Sequence, residues 1–125
     1  VWATKHRQLL LEGTVEQFAF AELTRQSVEL DSPILAVNGI PDHVHLAVNI
    51  HPRLSVADWV KKLKGATSFL INQRKMLPQH FAWQESYGVL TFGQRQLPFI
   101  VAYINRQKEH HQTGTTHITL EKTEK

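Results

Sequence analysis

Two helical stretches interleaved with short strand-like runs predict an α+β fold of the ferredoxin-like kind. The order is strand, helix, strand, strand, helix, strand, with one further helix at the C-terminal end. Three observations carry this. Apolar residues recur at helical spacing over 9–30 and 55–77, they alternate with polar ones over 43–50, and helical spacing returns over 96–111. Such a chain packs two helices on one face of an antiparallel four-stranded sheet.

Each element has a local reason. Val1, Trp2 and Ala3 pass straight into the polar Thr4, Lys5, His6 and Arg7, so they read as the tail of a first strand truncated at the N-terminus. Leu10, Phe18, Ala21 and Val28 set the first helix, which Asp31, Ser32 and Pro33 end. Ile34, Leu35, Val37 and Ile40 make a second strand, Pro41 and Asp42 a turn, and 43–50 a third strand broken by Pro52. Ser55 is placed to cap the second helix with Asp58 in its first turn; Val56, Trp59, Val60, Leu63 and Leu70 share a face, and the helix runs to about Leu77 before Pro78. A fourth strand is expected over 81–92, with Gly88 marking a bulge. Leu97, Ile100, Val101 and Ile104 space the last helix, Gly114 stops it, and 115–125 reads as a loose polar tail.

With 125 residues and 42% hydrophobic content, there is material for one core, so 1–125 is a single domain. A net charge of +3 permits a nucleic-acid partner, and its distribution says more. Five acids over 12–31 face only Arg25, whereas six basic residues over 53–75 face only Asp58, so a polyanion approaches the second stretch. The absence of cysteine excludes a disulfide framework and a thiolate metal site. No apolar run reaches the ~20 residues of a membrane span, so a cytoplasmic protein without a membrane partner is expected.

In the run from His43 to Ile50 the even positions are all apolar, and strand geometry sends both His43 and His45 to the face away from the core. Two imidazoles at i, i+2 stand close enough to bind one cation; a pair of histidines on a solvated face is the competing reading, because two ligands do not fix a metal site. A third donor is available on the last helix, where Tyr103 and Gln107 stand one turn apart beside the apolar stripe. A half-buried tyrosine with its hydroxyl hydrogen-bonded and a solvated glutamine is the competing reading, and in an arbitrary helix the simpler one. Asp42 steadies the site from behind His43 or serves only as a turn former. Tyr87 reads as core, and His110 and His111 as cations favoured at a helix C-terminus.

The run Pro41, Asp42, His43, Val44, His45, Leu46 resembles the histidine, hydrophobic, histidine signature of the HUH single-tyrosine transposases, small prokaryotic insertion-sequence enzymes and their REP-associated relatives. Further segments match in the same order. VWATKHR at 1–7 resembles that family's first strand, KGATS at 64–68 its second helix, FAWQESYG at 81–88 the segment that follows, and YINRQKEHH at 103–111 its catalytic helix. The resemblance implies a ferredoxin-like fold, His43, His45 and Gln107 as ligands of Mg2+ or Mn2+, and Tyr103 as the nucleophile on DNA. It also implies single-stranded DNA with a hairpin as partner, and a homodimer in which the tyrosine helix of one subunit meets the histidines of the other.

Contacts to DNA are expected from Lys5, Arg7, Lys61, Lys62 and Lys64, with Arg74, Lys75, Arg95, Arg106 and Lys108 as further candidates. Gly65 in mid-helix costs ~1 kcal/mol relative to alanine, which a close backbone or phosphate explains. A relative that binds a DNA hairpin without cutting it is the alternative; retention of both histidines, the glutamine and the tyrosine argues against it. A metal-dependent hydrolase calls for a further acid or histidine beside the pair, and a sheet-binding RNA module for exposed aromatics on its central strands.

Overall fold

The computed structural model describes residues 1–124, so Lys125 of the expected tail lies outside the described residues. The sheet has three strands, β1 (Trp2–Ala3), β2 (Ile34–Ile40) and β3 (His43–Val48). β3 is central and antiparallel to both neighbours, and β2 forms an edge. The tight turn at Pro41 and Asp42 sets the register, which places Ile40 opposite His43 and Asn38 opposite His45. Gly39 is required there by space: a Cβ would lie 2.2 Å from the His43 carbonyl oxygen. Gly39→Ala is expected to cost about 3 kcal/mol or more, read as a lower denaturant midpoint at unchanged slope.

Alternation along β3 divides the molecule into layers. Val44, with Leu46 and Val48, faces α1 (Gly13–Glu29) and α2 (Val56–Gln73), whose Val15, Ala19, Leu23, Val60, Leu63 and Ile71 fill the main core. Ala47 faces the other way and packs with Ala36 of β2 under Ile100 and Ile104 of α3 (Leu97–Asn105). The same parity that buries Val44 against the main core therefore turns His43 and His45 toward α3 and the helix after it, α4 (Gln107–Thr113). Ser55 caps α2 as expected, accepting from the Asp58 N–H at 3.0 Å. Trp59 ties α2 to α1 by donating to Ser27 Oγ at 2.9 Å.

The fourth strand expected over 81–92 does not form. Among the described residues only one bridge, Thr4 with Trp83, takes its place. The reason lies in the partners its backbone finds. β1 has two residues, and the Ala3 N–H that a longer ladder would use is taken by the Gln84 side chain at 3.0 Å. Asn72 of α2 holds the backbone of Phe81 through both amide groups, at 2.9 and 2.7 Å. The segment still runs beside β1, where the fourth strand of a ferredoxin-like sheet belongs, so the fold class stands and the strand is reduced to a bridge.

Three boundaries also differ from expectation. α1 starts at Gly13, α2 ends at Gln73, with Lys75 in the left-handed region just beyond, and the last helix breaks at Arg106 into α3 and α4. The segment 115–124, expected to be loose, contains α5 (Ile118–Glu121) and packs against Gly88, which marks no bulge. A Cβ on Gly88 would lie 1.8 Å from the Lys122 carbonyl oxygen, so only glycine lets the two backbones meet. No helix among the described residues is long and apolar enough to cross a membrane.

Candidate active site

The histidine rings of β3 lie 5.1 Å apart and are each 2% exposed, buried by the helices and C-terminal segment above them. α3 brings Tyr103 to the same place and α4 brings Gln107, which is fully buried. The sequence set both beside the apolar stripe, and the structure carries them under it. The two histidines, the tyrosine and the glutamine are thus gathered in a single chain, whereas the resemblance implied a tyrosine helix supplied by a second subunit.

What joins them is Glu121, at the end of α5. Its Oε1 lies 3.1 Å from His43 Nε2, 3.2 Å from His45 Nε2, 3.0 Å from His111 Nε2 and 3.1 Å from Gln107 Nε2. Its Oε2 accepts from the Tyr103 hydroxyl and from Gln107 Nε2 at 2.9 Å. The Tyr103 oxygen also accepts from the His117 N–H at 2.9 Å, and its ring stacks on His110 at 4.5 Å. Behind the site, Asp42 Oδ1 stands 2.6 Å from His43 Nδ1. A proton held there leaves His43 Nε2 facing inward with its lone pair. Asp42 is therefore both turn former and support for the imidazole.

Glu121 and His111 were missing from the sequence reading, for different reasons. Tyr103, Gln107 and His111 follow one another at i, i+4, i+8, a single helix face that was legible and was set aside in favour of the helix dipole. Glu121 carried no such mark, being one acid in a polar segment. It is held in place by contacts distant in sequence, including Gln84 Nε2 donating to the Thr123 carbonyl at 2.9 Å and Arg7 Nη2 donating to Thr123 Oγ1 at 3.1 Å.

The electrostatics follow from this crowding. Burial pushes the Tyr103 hydroxyl up to about 12, and the hydrogen bond to Glu121 adds to it, so the phenol is protonated at neutral pH. Burial lowers His45 below its usual range despite Glu121 beside it, which favours the uncharged imidazole that a metal requires. Burial alone would raise Glu121; hydrogen bonds with His43, His45, Tyr103 and Gln107 outweigh it and hold the carboxyl well below the usual carboxylate range.

The residues fit a divalent cation. Donor atoms of His43, His111 and Glu121 all lie within 4.8 Å of one another. Gln107 Oε1 is buried and has no hydrogen-bond partner. A half-turn of the amide, whose two ends are nearly equal in size, brings that oxygen inward beside the imidazoles. A cleft of about 800 Å³ between the sheet and the segment after Gly88 reaches both His45 and Tyr103.

The basic residues are spread over the surface. Lys5 and Arg7 are exposed near Asp42, with an Arg7 to Asp42 ion pair at 3.6 Å. Lys61 and Lys62 are exposed on α2, across the sheet from the histidines. Lys64 turns inward instead: its ammonium donates to the carbonyls of Gln84 and Ser86 at 2.7 and 3.0 Å, and burial lowers its pKa to about 8. Its charge anchors the 84–86 segment. Gly65 is exposed with no protein atom near its missing Cβ, so packing does not explain it.

A histidine pair on the central strand of a ferredoxin-like sheet, roofed by a tyrosine helix, is the architecture of a class of transposases, and comparison with known proteins agrees. The family described as IS200-like transposases matches residues 1–107, and the chain belongs to that family. It is similar to the ISDra2 transposase TnpA of Deinococcus radiodurans, with 27% identity over 114 residues, covering 87% of this chain and 81% of that protein. A crystal structure from Deinococcus radiodurans R1, assigned as a transposase, superposes with a TM-score of 0.67 at 31% identity over 85% of each chain. The chain is a transposase, acting on DNA in transposition.

Proposed function

We propose that this transposase cuts and rejoins single-stranded DNA through Tyr103, with His43, His45 and Gln107 holding Mg2+ or Mn2+. The observation that carries the reading is the convergence on Glu121: nucleophile and ligands lie within hydrogen-bond distance of one carboxylate. Bound there, a divalent cation supplies the positive charge that polarises a non-bridging phosphate oxygen and orients the phosphate for in-line attack.

The chain's own groups do the rest. Tyr103 is held from three sides, by His110, the His117 N–H and Glu121, so its oxygen has one direction of approach. As that oxygen bonds to phosphorus, the bond to the 3′ oxygen breaks; the phenol proton passes to an acceptor and the 3′ oxygen takes up a proton. The products are a 5′-phosphotyrosine and a free 3′ hydroxyl. Because one phosphoester replaces another, attack by a 3′ hydroxyl reverses the step and joins strands without ATP.

The DNA partner in this reading is a hairpin-bearing single strand, met in the cytoplasm and bound through Lys5, Arg7, Lys61 and Lys62. Gly65→Ala is expected to stabilise α2 by about 0.5 to 1 kcal/mol while weakening hairpin binding; unchanged affinity removes Gly65 from the interface. A homodimer belongs to the same reading. Leu35 on β2 and Phe99 on α3 leave apolar surface exposed for a second copy. Sharing the active sites then means exchange of the last helices between copies, and a monomeric mass at micromolar concentration contradicts it.

The test is incubation of the protein with a labelled pool of single-stranded DNA hairpins and Mn2+, followed by a denaturing gel. A covalent protein–DNA band that disappears with chelator supports the reading. Retarded DNA in a native gel with no covalent band favours the alternative, a hairpin-binding relative without cleavage.

A further inference from the structure

We propose that Glu121 is itself a ligand of the catalytic cation, so that the C-terminal segment completes the metal site together with His111. This rests on the reading that His43 and His45 hold the ion. As a hydrogen-bond hub the arrangement does not balance. Four nitrogens, from His43, His45, His111 and Gln107, stand 3.0 to 3.2 Å from one oxygen atom that has two lone pairs. Nor is His43 free to donate at Nε2 as a neutral ring, since its Nδ1 is 2.6 Å from Asp42. Inward lone pairs on His43 Nε2 and Glu121 Oε1 oppose each other unless a cation lies between them.

The distances fit that alternative. In an octahedral site with bonds of ~2.1 Å, each ligand atom has four neighbours at ~3.0 Å. Glu121 Oε1 has three imidazole nitrogens and the Gln107 amide group at that separation, the amide ligating through its oxygen once turned. Donor atoms of His43, His111 and Glu121 already lie within 4.8 Å of one another; with His45 and the Gln107 amide drawn in, the set is nitrogen-rich, which selects a transition-metal dication such as Mn2+ over Mg2+. The carboxylate's other oxygen stays on the Tyr103 hydroxyl, so one side chain links ligand sphere and nucleophile. The place of the segment is fixed elsewhere, at Gly88, where the Lys122 backbone makes its close approach.

The experiment is titration of the full chain with Mn2+, following free Mn2+ by electron paramagnetic resonance, for wild type, Glu121→Gln, Gly88→Ala and His43→Ala. Glu121→Gln keeps the shape and removes the anionic donor; a rise in Kd of about tenfold or more is expected. Gly88→Ala changes no ligand side chain but displaces the segment that carries Glu121, and it is expected to weaken Mn2+ binding in the same direction. Unchanged or tighter binding by Glu121→Gln, with binding lost in His43→Ala, overturns the assignment and leaves the histidine site standing; the carboxylate is then a competitor for the cation's place. Unchanged binding in both Glu121→Gln and His43→Ala overturns the histidine site as well.

Discussion

Tyr103→Phe is expected to abolish covalent attachment and strand cleavage, by roughly 10³-fold or more, while leaving the fold and DNA binding intact. The substitution removes one oxygen. That oxygen accepts from the His117 N–H at the margin of the site and donates to Glu121 at its centre, whereas the ring that remains keeps its stacking on His110 and its place in α3. Folding free energy therefore changes by about 1 kcal/mol, the scale of a lost hydrogen bond, and a thermal melt should stay cooperative. In the proposed reaction Tyr103 has no substitute within reach on α3, so the chemical step is expected to be lost outright. The contrast between a retained native-gel shift and a missing covalent band is the measurement. A Tyr103→Phe protein that still forms the adduct removes Tyr103 from the reaction.

His43→Ala and His45→Ala are expected to lower cleavage by roughly 10²-fold or more, and excess Mn2+ should restore His45→Ala in part. The two are not equivalent. His43 is backed by Asp42, so its loss leaves a partly buried carboxylate with only its Arg7 ion pair and costs stability as well as metal binding. His45 lies opposite Asn38 across the strand pair, and its hydrogen bond runs inward to Glu121, so its removal acts on the site alone. Cleavage measured against Mn2+ concentration separates these effects: a shift along the metal axis marks a ligand, and a drop at saturating metal marks damage to positioning. An unchanged metal dependence in His45→Ala contradicts its role.

Much of this was legible in the chain. Alternation from His43 to Val48 places both imidazoles on the face opposite Val44, because a strand allows only two sides. The spacing of Tyr103 and Gln107 put them on one helix face, and Ser55 announced the start of α2. What failed were inferences that depend on partners distant in sequence. The aromatic run over 81–92 has the composition of a strand, yet a two-residue β1 gives it only scattered backbone hydrogen bonds, such as the Gln84 N–H to the Ala3 carbonyl, and the Asn72 and Gln84 side chains take others. Burial of the histidines was invisible for the same reason, since the cover over them comes from α3, α4 and the C-terminal segment. Glu121 lies in a stretch that composition marks as solvated; its role appears only when Gly88 is seen to admit the Lys122 backbone. Lys64 looked like one more phosphate contact because helical spacing put it off the apolar stripe, but the 84–86 carbonyls claim it.

The central claim is that Tyr103 becomes joined to a 5′ phosphate. The most direct measurement is mass spectrometry of the protein after reaction with single-stranded hairpin DNA and Mn2+, nuclease trimming and proteolysis. A phosphonucleotide on the peptide that contains Tyr103 is the predicted result. The same modification on Tyr87, the only other tyrosine, or cleaved DNA without any modified tyrosine, contradicts the account.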